Sequence, residues 1–66
     1  MTIIVNGTEH ELGDPQTLGH LLADLKIVPE RVAIMVNDQI VPKAGRNERR
    51  LLVGDRIEIL TFIGGG

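Results

Sequence analysis

Sixty-six residues with a formal charge of −2 and 42% apolar side chains make one small globular domain, too short to wall a deep substrate cleft with its own residues. Phe62 is its only aromatic residue and cysteine is absent, which excludes a disulfide framework, a thiolate nucleophile and the stacking platform of a nucleic-acid binder. No apolar run approaches the ~20 residues that span a bilayer, and the start of the chain lacks the basic, long-apolar pattern of a leader, so the sequence predicts a soluble, cytoplasmic protein with an aliphatic core.

The β-branched run from Thr2 to Asn6 predicts a strand. Asn6-Gly7 then suits a type I′ turn, in which both central residues need φ > 0. Thr8 to Leu12 is the returning strand, with Glu9 and Glu11 on a solvated face that marks it as an edge. Gly13-Asp14-Pro15 breaks the pattern. Leu18, Leu21, Leu22 and Leu25 fall on one helical stripe. Thr17 is the preferred N-cap because the stripe starts at Leu18; Asp14-Pro15 is a rival start. Gly19 weakens the first turn by up to ~1 kcal/mol, and Pro29 ends the helix by Val28.

Val32 to Asn37 is the next strand, with Val32, Ile34 and Val36 on one face and Ala33 and Met35 on the other. Asn37-Asp38 turns the chain into a short strand at Ile40-Val41, stopped by Pro42. Lys43 to Arg50 reads as a polar loop, Leu51 to Val53 approaches a turn at Gly54-Asp55, and Arg56 to Phe62 is the last strand. The helix and the sheet each leave an apolar face that only the other can cover. With the first and last strands paired at the centre, the expected class is α+β, a β-grasp: a mostly antiparallel mixed sheet on one main helix. Residues 1–63 form the domain and residues 64–66 a flexible glycine tail.

Two features carry candidate function. Ile57 and Ile59 fit the core side of the last strand, which puts Glu58, Leu60 and Phe62 on the opposite side. Apolar residues on both faces of a strand covered by one helix imply an exposed partner patch. Leu60, Phe62 and Ile63 are the expected contacts, with Met35 extending them. The second feature is Gly64-Gly65-Gly66. Glycine enters narrow channels and adopts backbone angles closed to other residues. A terminal carboxylate, with an unperturbed pKa of ~3.5, is ionised at neutral pH.

The hairpin with Asn6-Gly7, the Thr-capped leucine helix, Ile40-Val41-Pro42-Lys43, Gly54-Asp55-Arg56-Ile57-Glu58-Ile59 and Phe62-Ile63-Gly64-Gly65-Gly66 together resemble the ThiS family, the ubiquitin-like sulfur carriers of thiamine biosynthesis. The resemblance covers nearly the whole chain. It implies that the Gly66 carboxylate is adenylated by a ThiF-like enzyme of the ubiquitin-activating type. The acyl adenylate then becomes a thiocarboxylate, and a ThiG-like thiazole synthase takes the sulfur. ATP and magnesium would belong to the activating enzyme and the sulfur to a donor protein; this chain would bind no cofactor and act as a protein cosubstrate, not an enzyme. The segment Ala44 to Leu52 matches no functional motif.

Other readings remain at this level. The tail chemistry would equally serve a carrier for molybdopterin or another sulfur acceptor. A ubiquitin-like binding module would use the strand patch and not the tail, and a protein modifier would end in an isopeptide bond. His10 and His20 sit on different elements without a third ligand at usual spacing, so both are expected at the surface. Lys43, Arg46, Arg49 and Arg50 read as a solvated basic loop, with docking on an acidic partner face as the rival reading. No pair of carboxylates converges for acid–base catalysis.

Overall fold

The computed structural model describes residues 1–13 and 16–61. The elements are β1 (Thr2–Val5), β2 (Thr8–Glu11), α1 (Leu18–Asp24), a 3-10 turn (Pro29–Arg31), β3 (Val32–Val36), β4 (Gln39–Ile40) and β5 (Arg56–Thr61). They form a five-stranded sheet in the order β2-β1-β5-β3-β4. β1 runs parallel to β5 at the centre, and the other pairs are antiparallel. This is the β-grasp arrangement, with β2 at an edge as its two glutamates required. The short fourth strand begins at Gln39, one residue before the sequence places it, and Val41 is buried.

Local chemistry explains each turn. Asn6 and Gly7 both have positive φ, at 49° and 83°, as do Asn37 and Asp38, at 52° and 70°; these are the angles a two-residue hairpin demands. Thr17 caps α1, accepting from the His20 amide at 3.2 Å, while the Thr17 amide donates to His20 Nδ1 at 3.3 Å. His20 thus completes a reciprocal capping box. The rival start at Asp14-Pro15 lies outside the described residues.

The core is aliphatic. Leu18, Leu21 and Leu22 of α1 pack with Ile3, Val32, Ile34, Val36, Ile57 and Ile59 of the sheet, and Leu12, Val41 and Leu51 close the ends. Leu25 packs at the margin of this cluster. Each fully buried aliphatic side chain contributes roughly 1.5–3 kcal/mol, and a domain of this size has little to spare.

Two expectations are corrected. The basic loop is not wholly solvated: Arg46 is buried, 5% exposed, and its guanidinium donates to Val32 O at 3.1 Å and to Pro29 O. Its partners lie 14 and 17 residues back in the chain, so the spacing of charges around it carried no sign of them. Gly19 is not merely a weak helix former. A Cβ there would stand 2.8 Å from Asn47 O, and the Gly19 amide donates to that oxygen at 3.0 Å. The Leu18 amide donates to Arg49 O at 2.7 Å. The loop that matched no motif therefore satisfies the first-turn amides that a helix leaves open, and glycine lets it come close enough to do so.

Candidate functional site

β5 links the core to the candidate site, so what fixes it sets the site's geometry. At its start, Asp55 is buried and accepts from Asn37 Nδ2 at 2.9 Å and from the Leu52 amide at 2.8 Å. Asn37 Oδ1 in turn accepts from the Arg56 amide at 2.9 Å. Further along, Asn6 Oδ1 accepts from the Ile59 amide at 2.8 Å, and the Asn6 amide donates to Ile57 O at 2.9 Å. The hairpin asparagine thus does more than turn the chain; its side chain extends the β1–β5 pairing. Near its end, β5 pairs with β3 through Ala33 opposite Leu60 and Val32 opposite Thr61.

Register then decides the outer face. Ile57 and Ile59 point to the helix and are buried, while Leu60 is 51% exposed. Met35 lies opposite Glu58 on β5 and opposite Ile40 on β4. Ile4 lies opposite Arg56. Leu60, Met35, Ile40 and Ile4 therefore share one sheet face, the one away from the helix. Ile40 is 75% exposed and belongs to this patch, although the sequence reading left it out. Its place depends on pairing with Met35 across the Asn37-Asp38 turn, a register that becomes readable only once that turn is known to be two residues long. Glu58 lies within the apolar residues, and Arg56 at their margin forms an ion pair with Asp38 at 2.9 Å. An open cavity of about 390 Å³, lined in part by Ile4, Asn6, Arg56 and Glu58, indents the same region.

The structure brings Leu60 and Met35 onto one face, as the alternation implied. The remaining candidates, Phe62, Ile63, Gly64, Gly65 and Gly66, lie outside the described residues. His10 and His20 are not brought together at a metal centre: His20 serves the helix cap, and His10 stands opposite Ile3 on β2. Among the described residues no group of three or more His, Cys, Asp or Glu side chains converges on a metal-sized site. Among them, too, no helix is long and apolar enough to cross a membrane.

Comparison with known proteins extends the picture from the fold to the family. The ThiS family model matches residues 3–66. The chain is 36% identical over 66 residues to a thiazole synthase of Paramagnetospirillum magneticum and 38% identical to one of Magnetococcus marinus; it spans all of itself but only 20% of each of those proteins. It is 32% identical to the uncharacterized protein ycf40 of Porphyra purpurea, covering 93% of that chain. The crystal structure of the thiamine biosynthesis protein ThiS from Geobacter metallireducens superposes with a TM-score of 0.84 at 28% identity, with both chains covered in full. The superposition covers both chains and the family alignment runs through the terminal glycines, and the chain belongs to the ThiS family.

Proposed function

We propose that this chain carries sulfur on the carboxyl group of Gly66 and docks through the outer face of its sheet on the proteins that load and unload it. The observation that carries the reading is the family alignment, which continues past Thr61, the end of β5, to Gly66. The strand that holds Leu60 on the outer face is also the one whose chain leads on to the glycines. Docking and tail presentation would therefore act through one rigid element.

The chemistry follows in two displacements. A Gly66 carboxylate oxygen attacks the α-phosphorus of ATP, and pyrophosphate leaves. The acyl carbon is now electrophilic, hydrosulfide adds to it, and AMP leaves with the original oxygen. The product is a thiocarboxylate, whose sulfur is the nucleophile for a thiazole synthase. A ThiF-like adenylating enzyme supplies magnesium, phosphate contacts and oxyanion stabilisation; this chain supplies the acyl group on an unhindered CH₂. The thiazole synthases that contain a region similar to this whole chain support a synthase of that kind as the acceptor. Ordering the tail in a partner's channel costs about 1–2 kcal/mol per residue, which burial of Leu60, Met35 and Ile40 against the partner would offset.

The test is incubation of the chain with an adenylating enzyme, Mg-ATP and sulfide, followed by intact mass measurement. Exchange of oxygen for sulfur adds about 16 Da, and omission of ATP abolishes the gain. An unchanged mass under conditions that load an established carrier contradicts the reading.

A further inference from the structure

Arg46 occupies a place on the sheet where a strand is missing. β4 pairs with β3 only at Met35 and Val36, and one further main-chain bond, from the Val41 amide to Ile34 O at 2.9 Å, continues that edge. Two residues earlier on β3, the same edge presents the carbonyl of Val32, as the period of a strand requires. Among the described residues no backbone amide meets it there. The Arg46 guanidinium does, donating through Nη1 at 3.1 Å and reaching Pro29 O through Nη2. The planar fork thus ties the first residue of β3 to the 3-10 turn that precedes it. The Arg46 backbone is itself held in a tight turn, its amide donating to Lys43 O at 3.1 Å and its carbonyl accepting from the Arg49 amide at 3.2 Å.

Val32 faces Thr61 across the β3–β5 pair. Thr61 is the last residue of β5, and the chain runs on from it to Gly64-Gly65-Gly66. We infer that Arg46 is a positioning residue for sulfur loading: by fixing the start of β3 it fixes Thr61 at the end of β5, the point from which the chain continues towards the glycines that the adenylating enzyme must reach. This rests on the carrier reading above. The Arg46 guanidinium is spent on the carbonyls of Val32 and Pro29 and not on the side chains of the outer docking face, so its contribution is to how the strand end is held rather than to how tightly the partner binds.

Arg46→Met keeps an apolar stem and removes the donors, and Arg46→Lys keeps the charge without the fork. Val36→Ala, a truncation at the other end of β3, controls for lost stability. All are compared with the wild-type full chain, at a temperature where each remains folded. In Arg46→Met, amide hydrogen exchange at Ala33 and Leu60 is expected to rise about tenfold or more, relative to Ile3 and Ile57. In the adenylation assay, kcat is expected to fall by about threefold or more with KM unchanged, with Arg46→Lys intermediate and Val36→Ala near wild type. Exchange that rises evenly through the sheet, exchange that does not change, or an equal fall of kcat in Val36→Ala overturns the assignment. A wild-type chain that is never adenylated sinks the carrier reading instead. The exchange experiment then decides alone: a rise confined to Ala33 and Leu60 upholds the positioning of the strand end by Arg46, and any other pattern refutes it.

Discussion

The two faces of the central sheet are built from the same few strands and treat similar side chains in opposite ways. On the helix side, Ile34, Val36 and Ile57 are each 1% exposed. On the other side, Leu60 and Ile40 stand 51% and 75% exposed. Leu60 and Ile40 are aliphatic like the residues of the inner face, so side-chain type alone does not explain their exposure. What differs is the partner: the inner face is covered by α1 within the chain, and the outer face has no covering layer among the described residues. A domain that needs only one buried face for its fold has the other free for recognition. The cost is an apolar patch held in water, with Glu58 and the Arg56–Asp38 pair among and beside it.

Substitutions at the inner face should give the largest effects. Leu21→Ala removes a fully buried side chain from the middle of the stripe and is expected to cost about 2–5 kcal/mol, a large share of the stability of a small domain. Chemical denaturation would show it as a lower midpoint with little change in slope. A loss below that range would mean that the helix packs more loosely than its burial indicates.

Gly19→Ala sharpens the comparison by setting two effects against each other. Helix propensity alone predicts a gain of about 1 kcal/mol. The new Cβ would stand 2.8 Å from Asn47 O, a backbone atom that must move and weaken its bond to the Gly19 amide. Overpacking of that kind costs roughly 1–3 kcal/mol, so the net change is expected to be a loss. A rise in melting temperature would show that the loop does not hold the helix start. Thr17→Ala, which removes the oxygen that accepts from the His20 amide, should cost about 1 kcal/mol. Thermal unfolding of the pair Thr17→Ala and His20→Ala would show coupling between the two halves of the capping box.

The smallest effect on stability belongs to the outer face. Leu60→Asp is expected to change the unfolding free energy by about 0.5 kcal/mol or less, since exposed positions away from special features tolerate substitution. The same change should weaken binding to the adenylating enzyme or the synthase by about tenfold or more, as expected for an apolar anchor at the centre of an interface. Circular dichroism and titration calorimetry together separate the two. Loss of the fold would reverse the assignment of faces; unchanged affinity would remove Leu60 from the docking surface.

How far the sequence reached depends on the range over which each signal acts. The leucine stripe, the Thr17 cap, the Asn6-Gly7 turn and the alternation of β3 are written within a few neighbouring residues, and all are legible there. The central pairing of β1 with β5 was legible from two strongly β-branched strands to bury, but its parallel direction was not. Arg46 and Gly19 were misread for the opposite reason. Arg46 has its acceptors at Val32 and Pro29, and Gly19 its close neighbour at Asn47, and neither contact leaves a trace in local composition. Ile40 was missed because two strands must be set in register before it joins Met35 and Leu60. Asn6 was read for its backbone angles alone, while its side chain reaches a residue 53 positions later. Of the candidate site, the strand face was legible from alternation, and the tail chemistry came from family resemblance.

The central claim is that the chain works through a reactive acyl end at Gly66. The most direct measurement is the intact mass of the protein isolated from its native cells under conditions that preserve thioacids. The account predicts a chain that ends at Gly66, present in part as a species heavier by about 16 Da, the mark of a carboxyl oxygen replaced by sulfur. A native polypeptide that continues beyond Gly66 and is never trimmed back to it would contradict the account.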